Sequence, residues 1–115
     1  MRTLKYKVQG QNIIRDSGCD FSHIIKGSNN YIRLVFEWDE QWKNKGKVIS
    51  LRNANGEEVN VVLQSKIVLQ EKITNGSMFS FQIYGKEGEE KIHTNREYVE
   101  QEWGDKNGEY RWTAR

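Results

Sequence analysis

The chain has 115 residues, of which 30% are charged and 36% apolar, and a formal net charge of +2. That length allows one domain, and so mild a charge does not by itself imply nucleic acid. Twenty-two Ile, Val and Thr residues against seven Ala and Leu argue against a helical bundle, because branching at Cβ suits the pleated strand and lowers helix propensity.

Leu4, Tyr6 and Val8 alternate with Lys5, Lys7 and Gln9, the period of a half-buried strand. After Gly10, residues 11–15 predict a second short strand, and Asp16-Ser17-Gly18 a turn. Residues 21–25 are a short apolar run of either type, and residues 27–30 form another turn. In residues 31–38, Ile32, Leu34, Phe36 and Trp38 share one side, while Tyr31, Arg33, Val35 and Glu37 share the other. Four large apolar residues on one side predict a central strand over the core. Residues 39–43 break the alternation as a corner or a single helical turn.

Residues 47–52 predict the next strand, closed by Asn53-Ala54-Asn55-Gly56. Asn-Gly is a strong hairpin signal because both residues tolerate positive φ. Residues 57–63 return with Val59, Val61 and Leu63 on one face, followed by a short strand at 66–69 and a second Asn-Gly turn at Thr74-Asn75-Gly76. Residues 78–84 place Phe79, Phe81 and Ile83 inward, with Ser80 and Gln82 outward. Residues 85–88 predict a glycine-containing hairpin loop, and residues 90–94 another strand. Tyr98 and Val99 either end a strand or begin a short helix. Some seven or eight short strands spaced by turns every ~8–12 residues predict an all-β fold, an antiparallel sandwich or small barrel. Alternation on most strands leaves one face wet, as antiparallel sheets do. The β domain is expected over residues 1–103, with a polar C-terminal tail at 104–115. The chain contains no proline, so protection of the sheet edges is assigned to Lys66, Lys72, Lys86 and Lys91.

Candidate chemistry is sparse. Cys19 is the sole cysteine and makes no internal disulfide. Cys19 and His23 are four residues apart and His93 is remote, an incomplete set for zinc. No nucleophile elbow or phosphate-binding glycine pattern is present. Paired acids at Asp39/Glu40, Glu57/Glu58, Glu89/Glu90 and Glu100/Glu102 fall mostly in turns, where water solvates them, rather than across a cleft as glycoside hydrolysis requires. The expectation is a non-enzyme with no catalytic residue, metal or cofactor. Lys5-Tyr6-Lys7 and Tyr110-Arg111-Trp112 have the composition of a nucleic-acid stacking groove. Tyr6, however, belongs to the buried series, so no nucleic-acid partner is expected. The first seven residues lack the apolar stretch of a signal peptide, and no run approaches the ~18 apolar residues of a membrane span. No membrane association is expected, and synthesis is placed in a cytoplasm. Trp103, Tyr110 and Trp112 stand out in a polar tail, since disordered tails rarely carry tryptophan. They are the candidate partner-binding residues, a segment that orders by strand addition to a neighbour's sheet edge.

The block Ile32-Arg33-Leu34-Val35-Phe36-Glu37-Trp38-Asp39-Glu40-Gln41-Trp42 resembles the N-terminal domain of baseplate upper proteins from phages of Gram-positive bacteria. Residues 6–14 look like that family's opening strand pair and Ser28-Asn29-Asn30-Tyr31 like its polar turn. Residues 36–42 look like its aromatic-acidic corner, Lys47-Val48-Ile49-Ser50-Leu51 like the following strand, and Ser80-Phe81-Gln82-Ile83-Tyr84-Gly85 like a later one. The resemblance spans residues 4–100 and rests on packing positions, so it carries over no active site. It implies an immunoglobulin-like sandwich that serves as an anchoring or assembly module of a virion, binding other virion proteins as a homo-oligomer. The chain departs from the pattern at Lys43-Asn44-Lys45-Gly46, where the family has a short Gly-Leu link. Family members also continue into a stalk or receptor-binding region, whereas this sequence stops at Arg115. Two other readings are a small phage-encoded inhibitor of a host protein and a carbohydrate-binding module. The last would use exposed aromatics such as Trp38 and Trp42 as sugar platforms.

Overall fold

The computed structural model describes residues 1–104. In chain order these form β1 (Arg2–Gln9), β2 (Asn12–Arg15), β3 (Ile32–Trp38), β4 (Gly46–Arg52), β5 (Glu58–Leu63), β6 (Lys66–Val68), a single-turn helix α1 (Glu71–Thr74), β7 (Met78–Glu87), β8 (Glu90–His93) and β9 (Glu97–Glu100). One sheet runs β2-β1-β3-β6 and the other β5-β4-β7-β8, with β9 pairing the first half of β7 beside β8. The molecule is an all-β sandwich.

The alternating residues meet between the layers. Leu4, Tyr6 and Val8 from β1, Ile32, Leu34 and Phe36 from β3, and Phe79, Phe81 and Ile83 from β7 are all buried. Tyr6 and Phe36 of the first sheet meet Phe81 of the second edge-on, at centroid distances of 5.1 and 5.6 Å, the favoured offset for aromatic quadrupoles. The corner at residues 39–42 is a tight turn in which Asp39 accepts from the amides of Gln41 and Gly10. That turn drives Trp42 fully inside, where its indole N–H donates to Gly10 O at 2.6 Å.

Three expectations need correction. First, β1 and β3 run parallel. The β1-β2 hairpin reverses the chain, and residues 16–31 carry it back to the end where β1 began. Alternation reports that the outer face lacks a covering layer; it does not report strand direction. Second, neither Asn-Gly pair makes a two-residue hairpin turn. Among the described residues only His23 and Asn30 have positive φ outside glycine. The β4-β5 loop spans residues 53–57, with Gly56 at φ +84°, and Asn75 follows α1 in a right-handed conformation. Third, residues 85–87 extend β7, and the hairpin turns at residues 88–89. Lys86 therefore lies in an interior strand between Gly46 and Lys91 and guards no edge. Ser80 faces outward as expected and is nonetheless buried, because Arg96 lies across it.

The two sheets are stitched along one side. Ile13 N–H donates to Asn95 Oδ1, Asn95 N–H donates to Gln11 O, and Arg15 pairs with Glu97 at 2.6 Å. Beneath this seam the Tyr6 hydroxyl is buried with no hydrogen-bond partner among the described residues. Burial, and secondarily the charge of Glu97, pushes its pKa far above the ordinary 10. A phenol that must stay neutral in the fold contributes full stability below pH 10 and loses it as pH rises beyond that value. Tyr6→Phe is expected to lie within about 1 kcal/mol of wild type at pH 7, and to lose less stability between pH 9 and 11. Denaturant midpoints measured across that range check this; identical slopes for the two proteins would contradict it.

Candidate docking surfaces

Among the described residues no group of three or more His, Cys, Asp and Glu is placed to hold a metal ion. The Cys19 thiol donates to Thr3 O at 3.2 Å. His23 Nδ1 meets Glu102 at 3.0 Å, and His93 lies tilted against Tyr84, its neighbour in the second sheet, with ring centroids 5.6 Å apart. The three side chains are thus directed to separate partners. What the fold offers is surface.

The outer face of the second sheet is the most distinctive. The register aligns Val62, Val48, Tyr84 and His93 in one row across β5, β4, β7 and β8. Val62 is 80% exposed, and Tyr84 is 44% exposed. A parallel row runs Glu58, Arg52, Ser80, Tyr98, with Tyr98 54% exposed. Between the rows, Arg96 donates to Ser80 Oγ at 3.0 Å and reaches Ser50 Oγ at 3.5 Å. Tyr84 is oriented by its hydroxyl, which donates to Gln82 Oε1, while Gln82 Nε2 donates to Thr94 O. Arg52 sits 2.9 Å from Glu58, and that hydrogen bond holds the Glu58 carboxyl below its usual range. Gly46 has no side chain beside Val48, so a shallow depression of about 300 Å³ opens between Tyr84, Lys86, Lys91 and His93. A rigid sheet thus presents two tyrosines around one fixed guanidinium, residue types that anchor protein interfaces, with two valines beside them.

The second feature is the segment following β9. Gln101 N–H donates to Ser77 O, and its buried side chain donates to Thr74 O and Gly76 O. Glu102 bridges Ile25 in parallel, with its N–H to Ile24 O and its carbonyl accepting from Lys26. These bonds tie the segment to residues 24–26 and deliver Trp103 to the surface, 58% exposed, with Lys26 Nζ 3.3 Å from its ring centre. Beside it Ile25 is 45% exposed. Trp103 is thus an accessible aromatic. Tyr110 and Trp112, the other two candidate partner residues, lie outside the described residues.

The tryptophans of the corner are placed differently. Trp42 is enclosed and unavailable to a sugar. Trp38 is half-buried, tilted against Trp42 at 5.6 Å and stacked on Phe36, and its indole donates to Gln64 O. Lys47 lies over its ring at 4.8 Å, with its amine pushed below the usual lysine range by burial and then by nearby Lys45. Sequence reasoning missed Arg96 and the row of Val62, Val48, Tyr84 and His93. The pairing of four strands creates that row, and no local motif announces it. Comparison with protein-family models, with curated proteins and with solved structures found no match.

Proposed function

We propose that the chain is a non-enzymatic docking module, and that it works as a structural or assembly component of a phage particle. The observation that carries the docking role is the outer face of the second sheet. Val62, Tyr84 and Tyr98 stand exposed there around Arg96, while the large side chains of the interior pack on one another. A face of this kind binds by area and shape, with tyrosines supplying large contact at low entropic cost. Trp103, held at the surface near residues 24–26, adds a second anchor. The virion assignment is supported by the resemblance of residues 32–42 to the baseplate upper protein domain.

The test is the protein content of purified particles of the virus that encodes the chain. Mass spectrometry should find the chain at a fixed copy number per particle. A Val62→Asp substitution, which places a charge where the face must desolvate, should remove it from particles while the isolated domain still folds. Absence of the wild-type chain from particles would overturn the virion role and favour a host-directed inhibitor.

A further inference from the structure

The outer face of the first sheet has a different chemistry. Register brings Thr3, Arg33 and Val68 into one row, Lys5, Val35 and Lys66 into the next, and Ile14, Lys7 and Glu37 into a third. Four cations from positions scattered between 5 and 66 therefore share one face. Strands lie ~4.8 Å apart and outward residues on one strand ~6.8 Å apart, so these charges are close neighbours. Lys5, Lys7 and Lys66 are exposed. None of the four makes an ion pair among the described residues. The acids nearest in register are Glu37, opposite Lys7, and Asp16, which follows β2 in line with Lys5 and whose carboxylate accepts from the Gly18 amide.

Arg33 is half-buried on this face. Its Nη2 donates to Thr3 Oγ1 at 3.0 Å, and its Nε is buried with no acceptor among the described residues. A carboxylate on this face meets the guanidinium at its terminal nitrogens, in a charge-assisted hydrogen bond roughly twice as strong as one between neutral groups. The surface between the cations is aliphatic: half-buried Val35, Val68 at 38% exposure and Ile14 at 41%. Single-stranded nucleic acid needs aromatic stacking platforms between the charges, and on these rows there is none.

We propose that this face docks an acidic protein segment, with carboxylates meeting Lys5, Lys66 and Arg33 and aliphatic side chains resting on Val35 and Val68. This surface lies on the opposite sheet from the tyrosine face and is independent of the particle assignment. The probe is a fluorescein-labelled octapeptide of alternating glutamate and valine, titrated by anisotropy into the purified chain. Saturable binding is expected, weakening as salt rises. The double variant Lys5→Glu/Lys66→Glu should weaken it by about tenfold or more. Lys5→Gln/Lys66→Gln, which removes charge without reversing it, should give a smaller loss in the same direction. Lys43→Glu/Lys72→Glu, with the same change in net charge elsewhere on the surface, should leave binding within about twofold. The proposal is overturned by any of three results: no saturable binding below about 1 mM, an equal loss in the Lys43/Lys72 control, or tighter binding of a labelled oligothymidylate than of the peptide.

Discussion

Trp42→Ala is expected to cost about 3–5 kcal/mol, the range for removing a fully enclosed large aromatic. Trp42 closes one end of the sandwich, against Trp38 and over Gly85, and its N–H is the donor that satisfies Gly10 O. Truncation leaves a void between the layers and an acceptor without its partner. The same packing explains Gly85. A Cβ there would stand 2.5 Å from Trp42 Cζ3 and 3.2 Å from Ile92 Cγ2, so a side chain on β7 and the indole cannot share that space. Gly85→Ala alone is expected to cost about 1–3 kcal/mol through overpacking. In the Trp42→Ala background it should cost less than about 1 kcal/mol, because the atom it strikes is gone. Denaturant unfolding of the four proteins closes the cycle. Additive costs would show that the indole does not occupy this place.

Asn53→Ala is the second large effect, expected at about 2–4 kcal/mol from buried groups left without partners. Asn53 is buried at the end of β4 and its side chain is fully used. Oδ1 accepts from the amides of Asn55 and Glu57, while Nδ2 donates to Glu57 Oε1 and to Lys72 O. The first two bonds build the β4-β5 loop, and the last ties that loop to α1. Close approach of the two is visible at Gly76, where a Cβ would overlap the Cβ of Ala54. Asn53→Asp separates the two halves of the amide. It keeps both acceptors but sets a carboxylate against Lys72 O and Glu57, so it should be nearly as damaging as alanine at pH 7. Protonating that carboxyl restores one donor, so the Asn53→Asp deficit relative to wild type should shrink as pH falls below 4. Thermal melts at both pH values measure this. An Asn53→Asp protein as stable as wild type at pH 7 would show that the donor half is dispensable.

These residues mark how far the sequence was readable. Strands whose inward residues are large and whose outward residues are polar, as in 4–8, 32–38 and 78–84, announced themselves, because burial on one face imposes period two. The direction of β1 against β3 was hidden, because it depends on where a long connection lands. Asn55-Gly56 pointed to the right loop for the wrong reason: the hydrogen-bonding work falls on Asn53, two residues earlier. Gly85 read as a loop glycine because its true constraint is a ring 43 positions away in sequence. The candidate docking surfaces were the least readable part. The tyrosine face and the basic face are assembled by register between strands distant along the chain. Along the sequence, Lys5, Lys7, Arg33 and Lys66 are simply members of an even mix of charges.

The most direct test of a filled interior and a working exterior is hydroxyl-radical footprinting of the isolated chain and of the chain in the particle proposed for it. In the isolated chain Tyr84, Tyr98 and Trp103 should be oxidised readily, while Trp42 and Phe81 stay unmodified. On assembly Tyr84 and Tyr98 should become protected, with Trp42 and Phe81 unchanged. Oxidation of Trp42 in the isolated chain, or equal labelling of Tyr84 and Tyr98 in both states, would contradict the account.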